Sequence, residues 1–89
     1  MKVLIDKSFE KDLEKINDKK ILNSIADVIE NINKLNTITD IVNCKKLKGT
    51  KNAYRIRVGD YRIGFIFENQ NIDFIRFLHR SKIYNYFPD

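Results

Sequence analysis

Eighty-nine residues with a formal net charge of +5 allow one modest core, and 43% hydrophobic side chains suffice to fill it. A chain this short buries only about 60–65% of its unfolded surface, and Cys44 alone excludes a disulfide framework. No apolar run approaches the roughly 20 residues of a membrane span, and Val3-Leu4-Ile5 gives way at once to Asp6, so a small soluble cytoplasmic protein is expected, a single domain over 1–89.

The chain opens on a short strand candidate, Lys2 to Asp6. Ser8 is a plausible N-cap for a first helix carrying Phe9, Leu13 and Ile16 on one side. Asn17-Asp18 interrupts it, and Asp18 can cap a second helix. There Ile21, Leu22, Ile25, Val28, Ile29, Ile32 and Leu35 form an apolar stripe opposite Lys20, Asn23, Asp27, Glu30, Asn31 and Lys34. Both helices are expected to pack on a sheet. Thr37 to Ile41 suits a short helical turn.

From Lys45 the period changes to two. Lys45-Lys46-Leu47-Lys48 reads as an exposed strand ending at Gly49. Ala53 to Val58, Tyr61 to Glu68 and Ile72 to Leu78 are rich in aromatic and β-branched residues, as strands are. Gly59-Asp60 suits a two-residue hairpin whose first position takes positive φ, and Asn69-Gln70-Asn71 a three-residue turn. The expected fold is α+β: a short strand, two amphipathic helices, an antiparallel meander and a short C-terminal helical tail, with the helices on one sheet face.

The Gly59-Asp60 hairpin sets a register. It pairs Arg57 with Arg62 and Arg55 with Gly64, and sends Tyr54, Ile56, Val58, Tyr61, Ile63 and Phe65 to the helix-facing side. A three-residue second turn would pair Arg76 with Gly64 and put Ile75 and Phe77 on that same core side. Arg55, Arg57, Arg62 and Arg76 would then surround Gly64, with Arg80 at the end of the last strand.

Charge supports this asymmetry. Residues 1–43 hold seven lysines against eight acidic residues, whereas residues 44–89 hold five lysines and all five arginines against four acidic residues. The back half therefore carries +6, which suits a polyanionic partner, although ordinary basic surfaces share this feature. Like charges opposite one another on a sheet cost roughly 0.2–1 kcal/mol per pair. Bound phosphates would offset that repulsion, and guanidinium forks match phosphate oxygens; because the residues are arginines converging on a glycine, this reading is preferred to a solvated face that discourages aggregation.

Lys45, Lys46, Lys48 and Lys51 form an expected electrostatic rim. His79 can be an acid–base group, though packing or simple exposure is the commoner role for a lone histidine. Tyr84 can exchange a proton at a phosphate. Tyr86 and Phe87 suit anchoring of the tail, and Tyr54 and Tyr61 suit packing. Cys44 has no neighbours at ligand spacing, so neither a metal site nor a cofactor is expected.

Three segments together resemble the RelE/ParE superfamily, small toxins of type II toxin–antitoxin modules. They are Lys46-Leu47-Lys48-Gly49, Tyr54-Arg55-Ile56-Arg57-Val58-Gly59-Asp60-Tyr61-Arg62-Ile63 and His79-Arg80-Ser81-Lys82-Ile83-Tyr84. With the strand and two helices before them, the likeness covers essentially the whole chain. It implies a ribosome-dependent endoribonuclease that cuts messenger RNA in the decoding site without a metal. The nucleotide's own 2′-hydroxyl attacks the phosphate, leaving a cyclic phosphate and a free 5′-hydroxyl.

By the same resemblance, Arg55, Arg57, Arg62, Arg80 and Tyr84 are the expected catalytic positions. Lys46, Lys48, Lys51 and Arg76 are expected to bind RNA, and a cognate acidic antitoxin, the ribosome and messenger RNA are the expected partners. One departure is visible: well-studied relatives have lysines where this chain has Arg55 and Arg57. Arginine keeps its proton, so neither suits a general base, and Tyr84, His79 or a ribosomal group is left for that role. The alternatives are a ParE-like toxin that inhibits DNA gyrase by protein binding, and a non-catalytic basic nucleic-acid-binding module.

Overall fold

The computed structural model describes residues 1–88; Asp89, the last residue of the expected domain, lies outside the described residues. In chain order the elements are β1 (Lys2–Ile5), α1 (Lys7–Glu14), α2 (Lys19–Lys34), a 3-10 turn (Ile38–Asp40), β2 (Cys44–Lys46), β3 (Ala53–Val58), β4 (Tyr61–Glu68), β5 (Asn71–His79) and α3 (Ile83–Tyr86). The sheet order is β1-β5-β4-β3-β2, with β1 parallel to β5 and every other pair antiparallel. The α+β fold expected from the sequence is therefore the fold observed. Among the described residues no helix is long and apolar enough to cross a membrane.

The helix starts are set by aspartates. Asp18 caps α2 by accepting from the Lys20 N–H at 2.9 Å. The N-cap of α1 is Asp6 rather than Ser8: its carboxylate accepts from the Ser8 N–H at 3.1 Å and the Ser8 hydroxyl at 2.6 Å. These two bonds hold the Asp6 carboxyl below its ordinary range. Helix α1 ends at Glu14, so Ile16 reaches the core from the following turn rather than from the helix.

The main core lies between the helices and one sheet face. Phe9, Ile25 and Ile32 meet Ile56, Val58, Ile63, Phe65, Ile72, Phe74 and Phe77 there, with Tyr54 and Tyr61 packed at its margin. Tyr54 stacks on Phe65 with centroids 5.2 Å apart, and Tyr61 on Phe77 at 5.1 Å. Both tyrosines thus occupy the core side, as the hairpin register requires.

Two turns differ from the sequence reading. Asn69 and Gln70 both have positive φ, +52° and +64°, so the second hairpin closes in two residues and Asn71 already belongs to β5. That pairing is one residue out of step with the pairing around Gly64. A β-bulge absorbs the difference: Phe65 pairs with Phe74 while Gly64 pairs with Arg76, leaving Ile75 as the additional residue. Ile75 is consequently turned to the outer face, not to the core. Strand β2 also begins earlier than expected, at Cys44, and ends at Lys46.

Helix α1 seals the bulge where β1 no longer covers the edge of β5. The Ser8 hydroxyl shares its single proton between Asp6 Oδ2 and the Ile75 carbonyl, the latter at 2.5 Å, and Asp12 Oδ2 accepts from the Phe77 N–H at 2.8 Å. Past the end of β1 these edge groups of β5 have no ladder partner, and the two side chains of α1 supply one.

The outer sheet face carries a second, smaller core. Ala53, Ile83 and Phe87 are buried there, with Leu47, Ile66, Ile75 and Leu78 packed around them. This cluster holds the C-terminal tail against the sheet, the anchoring expected of Phe87.

Candidate active site

The β3–β4 hairpin pairs Arg57 with Arg62 and Arg55 with Gly64, the register read from the sequence, around Gly59 with φ +58°. Arg55, Arg57 and Arg62 therefore project from the outer face. Arg80 joins them because the turn after β5 is tied to the hairpin tip, its N–H donating to the Asp60 carbonyl at 2.8 Å. Tyr84, 57% exposed, follows on the single turn of α3.

Arg62 is the electrostatic centre of this group. Its pKa is lowered, first by partial burial and then by the charges of Arg55, Arg57 and Arg80, while Tyr84 acts in the opposite direction. Among the described residues its side chain donates to the carbonyls of Gly59 (3.0 Å) and Tyr61 (2.9 Å) and to no carboxylate. Among the described residues no carboxylate lies within ion-pair distance of Arg55, Arg57, Arg62 or Arg80. Four guanidinium groups gathered without a counter-ion among the described residues suit an anion with several acceptor oxygens.

Arg76 does not share this state. Its guanidinium binds Asp12 through two hydrogen bonds, Nε to Oδ2 at 2.8 Å and Nη2 to Oδ1 at 3.1 Å, and lies 5.4 Å from the centre of the Tyr86 ring. Asp12 is only 5% exposed and also holds the Phe77 N–H. Arg76 faces Gly64 as expected, yet its charge is matched, so it is part of the bulge rather than of an open basic face. Gly64 is not open either. A Cβ there would lie 2.5 Å from Cδ2 and 2.7 Å from Cγ of Phe87, so the glycine accommodates an aromatic ring.

The lysines divide. Lys45 pairs with Arg55 and stands on the arginine face, whereas Lys46 pairs with Tyr54 and stands on the other. Lys48 and Lys51 lie in the exposed turn before Ala53, some four strand residues or roughly 13 Å along β3 from the Arg57 row. The structure thus brings together Arg55, Arg57, Arg62, Arg80 and Tyr84 and adds Lys45. It leaves Lys46, Lys48, Lys51 and Arg76 outside the cluster.

His79 pairs with Tyr61 on the helix-facing side, its Nδ1 accepting from the Ser81 N–H at 3.1 Å and its ring edge-on to Tyr61. Its partners are those of a packed turn residue. Cys44, beside Arg55, is pushed up to about 11 by burial, partly offset by the Arg55 charge.

One residue went unnoticed in the sequence. Asn43, at φ +60°, accepts the Arg57 N–H at 3.1 Å and an Arg55 guanidinium N–H at 3.3 Å on its carbonyl. Its side-chain Oδ1 accepts from Arg57 Nη2 at 3.3 Å. Asparagine tolerates this left-handed backbone, which was the available signal, but only the β2–β3 pairing shows which arginines it orients.

Comparison with known proteins accords with this geometry. The family model described as "ParE toxin of type II toxin-antitoxin system, parDE" matches residues 3–84. Toxin RelE3 of Methanocaldococcus jannaschii is 46% identical over 90 residues, covering 99% of this chain and 100% of the relative. The toxin fold in the crystal structure of a RelB–RelE antitoxin–toxin complex from Methanococcus jannaschii superposes with a TM-score of 0.81 at 42% identity, covering 96% of this chain and 99% of that one. An archaeal RelE–RelB complex from Pyrococcus horikoshii shares the fold, with a TM-score of 0.71 at 22% identity over 91% of this chain and 96% of that one. The resemblance read from the arginine-bearing hairpin and the tyrosine-bearing tail is borne out along the chain's length: it belongs to the RelE/ParE superfamily of type II toxin–antitoxin toxins and is a RelE-type toxin.

Proposed function

We propose that this toxin is a ribosome-dependent, metal-independent messenger-RNA endoribonuclease of the cytoplasm, held inactive by a cognate acidic antitoxin. The observation that carries the reading is the set of guanidinium groups without a carboxylate partner among the described residues, Arg55, Arg57, Arg62 and Arg80, gathered beside Tyr84. A phosphodiester undergoing attack by its own 2′-hydroxyl gains negative charge on its non-bridging oxygens. Fixed cations aimed at that charge lower the barrier without reorganising during the reaction.

The roles then divide by chemistry. Arg62, flanked by Arg55 and Arg57, binds the non-bridging oxygens, and Asn43 orients the last two. Arginine keeps its proton, so these residues stabilise charge and do not remove the 2′-proton. Tyr84 is the side chain in the group able to donate or accept a proton, toward the 2′-oxygen or the departing 5′-oxygen. Bond formation from O2′ to phosphorus and loss of the 5′-oxygen leave a 2′,3′-cyclic phosphate and a 5′-hydroxyl.

The solved complexes of similar chains with RelB support an antitoxin partner for this one, and the +6 half of the chain suits an acidic occupant. Producing the chain in cells, with and without the neighbouring open reading frame, tests the reading. Primer extension should map new 5′ ends on translated messages within minutes of induction, and co-expression should abolish them. The family description naming ParE favours a second reading, inhibition of DNA gyrase by protein binding. Intact messages together with loss of gyrase supercoiling would select it.

A further inference from the structure

We infer that the contact of Phe87 with Gly64 is the anchor that positions Tyr84, making Phe87 and Gly64 positioning residues for the proton-transfer step; this rests on the role given to Tyr84 under the proposed function. Helix α3 is one turn of four residues, far too short to hold its shape unaided. Its place is fixed by the residues on either side of Tyr84: Ile83 is 0% and Phe87 3% exposed, while Tyr84 itself projects outward. Phe87 lies on the only position of the central strand β4 without a side chain, and a single methyl there would fall within 2.8 Å of three ring carbons.

Two features make this anchor separable from the fold. The tail packs on the outer cluster around Ala53, and the main core on the other sheet face has no part in it. Its own backbone bonds are few, Asn85 N–H to Lys82 carbonyl at 3.0 Å and Phe87 N–H to Ile83 carbonyl at 2.9 Å. Local opening of such a segment needs far less free energy than global unfolding. Misplacing a reacting group by about 1 Å can cost on the order of 10²-fold in rate, so a loosened anchor acts on the chemical step and leaves the arginines able to bind.

The test uses the full-length toxin on programmed ribosomes, with Gly64→Ala, Phe87→Ala, Tyr84→Phe and the pair Gly64→Ala/Phe87→Leu. Steady-state cleavage gives kcat and KM, and hydrogen exchange is followed at the Asn85 and Phe87 amides and across β3–β4. Gly64→Ala and Phe87→Ala should each lower kcat by about 10²-fold with KM unchanged. Both should speed exchange of the two tail amides while β3–β4 stays protected. The pair should restore kcat to within a few-fold, because leucine makes room for the new methyl and still fills the site. In the Tyr84→Phe background, Gly64→Ala should add nothing further. A released tail with wild-type kcat, or a tail that stays protected in Gly64→Ala and Phe87→Ala, overturns the anchor. A wild-type rate for Tyr84→Phe, with the tail still protected, instead overturns the tyrosine reading beneath it.

Discussion

Arg57 and Arg62 stand directly opposite each other across the β3–β4 hairpin, two like charges without a carboxylate partner among the described residues. Such a pair opposes folding by roughly 0.2–1 kcal/mol. Arg57→Ala and Arg62→Ala are therefore expected to relieve toxicity in growth assays while leaving thermal stability unchanged or slightly raised. Full toxicity in both variants would remove the arginine face from the mechanism.

Arg76 gives the opposite expectation. Its bidentate bond to Asp12, and the hold of Asp12 on the Phe77 N–H, belong to the bulge that α1 covers. Asp12→Ala should destabilise the protein, with about 1–3 kcal/mol arising from the orphaned buried N–H alone. Arg76→Ala should also lower stability in denaturant titrations, with ribosome affinity near wild type. A large loss of affinity at wild-type stability would return Arg76 to the RNA surface.

This contrast marks what the sequence makes legible. The Gly59-Asp60 turn fixes the β3–β4 register, because one-residue slips would bury Arg55, Arg57 and Arg62; hence their common face can be read from alternation alone. In the second hairpin a slip would likewise turn Arg76 inward and Phe77 outward, but a bulge rather than the turn length avoids it, and alternation alone does not separate the two. Asn69 and Gln70 both adopt left-handed backbone, and glutamine is an unusual residue for that conformation, so the two-residue turn and its compensating bulge were invisible. The fate of Arg76 then depended on Asp12, 64 positions away, a pairing that no local pattern encodes. Gly64 misled for a related reason: the ring that covers it arrives from Phe87, on the far side of the last strand.

The lysine rim offers a test by face. Lys45 shares the face of Arg55, and Lys46 that of Tyr54. Lys45→Ala should weaken binding to ribosomes carrying message and reduce its salt dependence by about one charge, whereas Lys46→Ala should do much less. Equal losses would mean that RNA contacts both faces of β2.

Cys44 provides a pH-dependent signature. Burial pushes its thiol from an ordinary 9.0 up to about 11, so the folded chain keeps a proton that the unfolded chain releases. The resulting stabilisation is present below pH 9 and is lost as pH rises from 9 to 11. Denaturation midpoints should fall more steeply across that window for the wild type than for Cys44→Ala. At pH 8 the folded protein should hold about a hundredfold less thiolate than the unfolded chain and alkylate correspondingly slowly. Equal alkylation rates in the two states would contradict the burial.

The most direct measurement of the central claim is single-turnover cleavage of a ribosome-bound message carrying one 2′-deoxynucleotide at the cut site. In the proposed mechanism the arginine cluster and Tyr84 help a 2′-hydroxyl displace the 5′-oxygen. The all-ribose message should be cut to a 2′,3′-cyclic phosphate and a 5′-hydroxyl, and more slowly by about 10²–10⁴-fold with Tyr84→Phe. The 2′-deoxy message should bind equally well and remain intact. Cleavage of the 2′-deoxy message at the same site, or no cleavage of either message, would contradict the account.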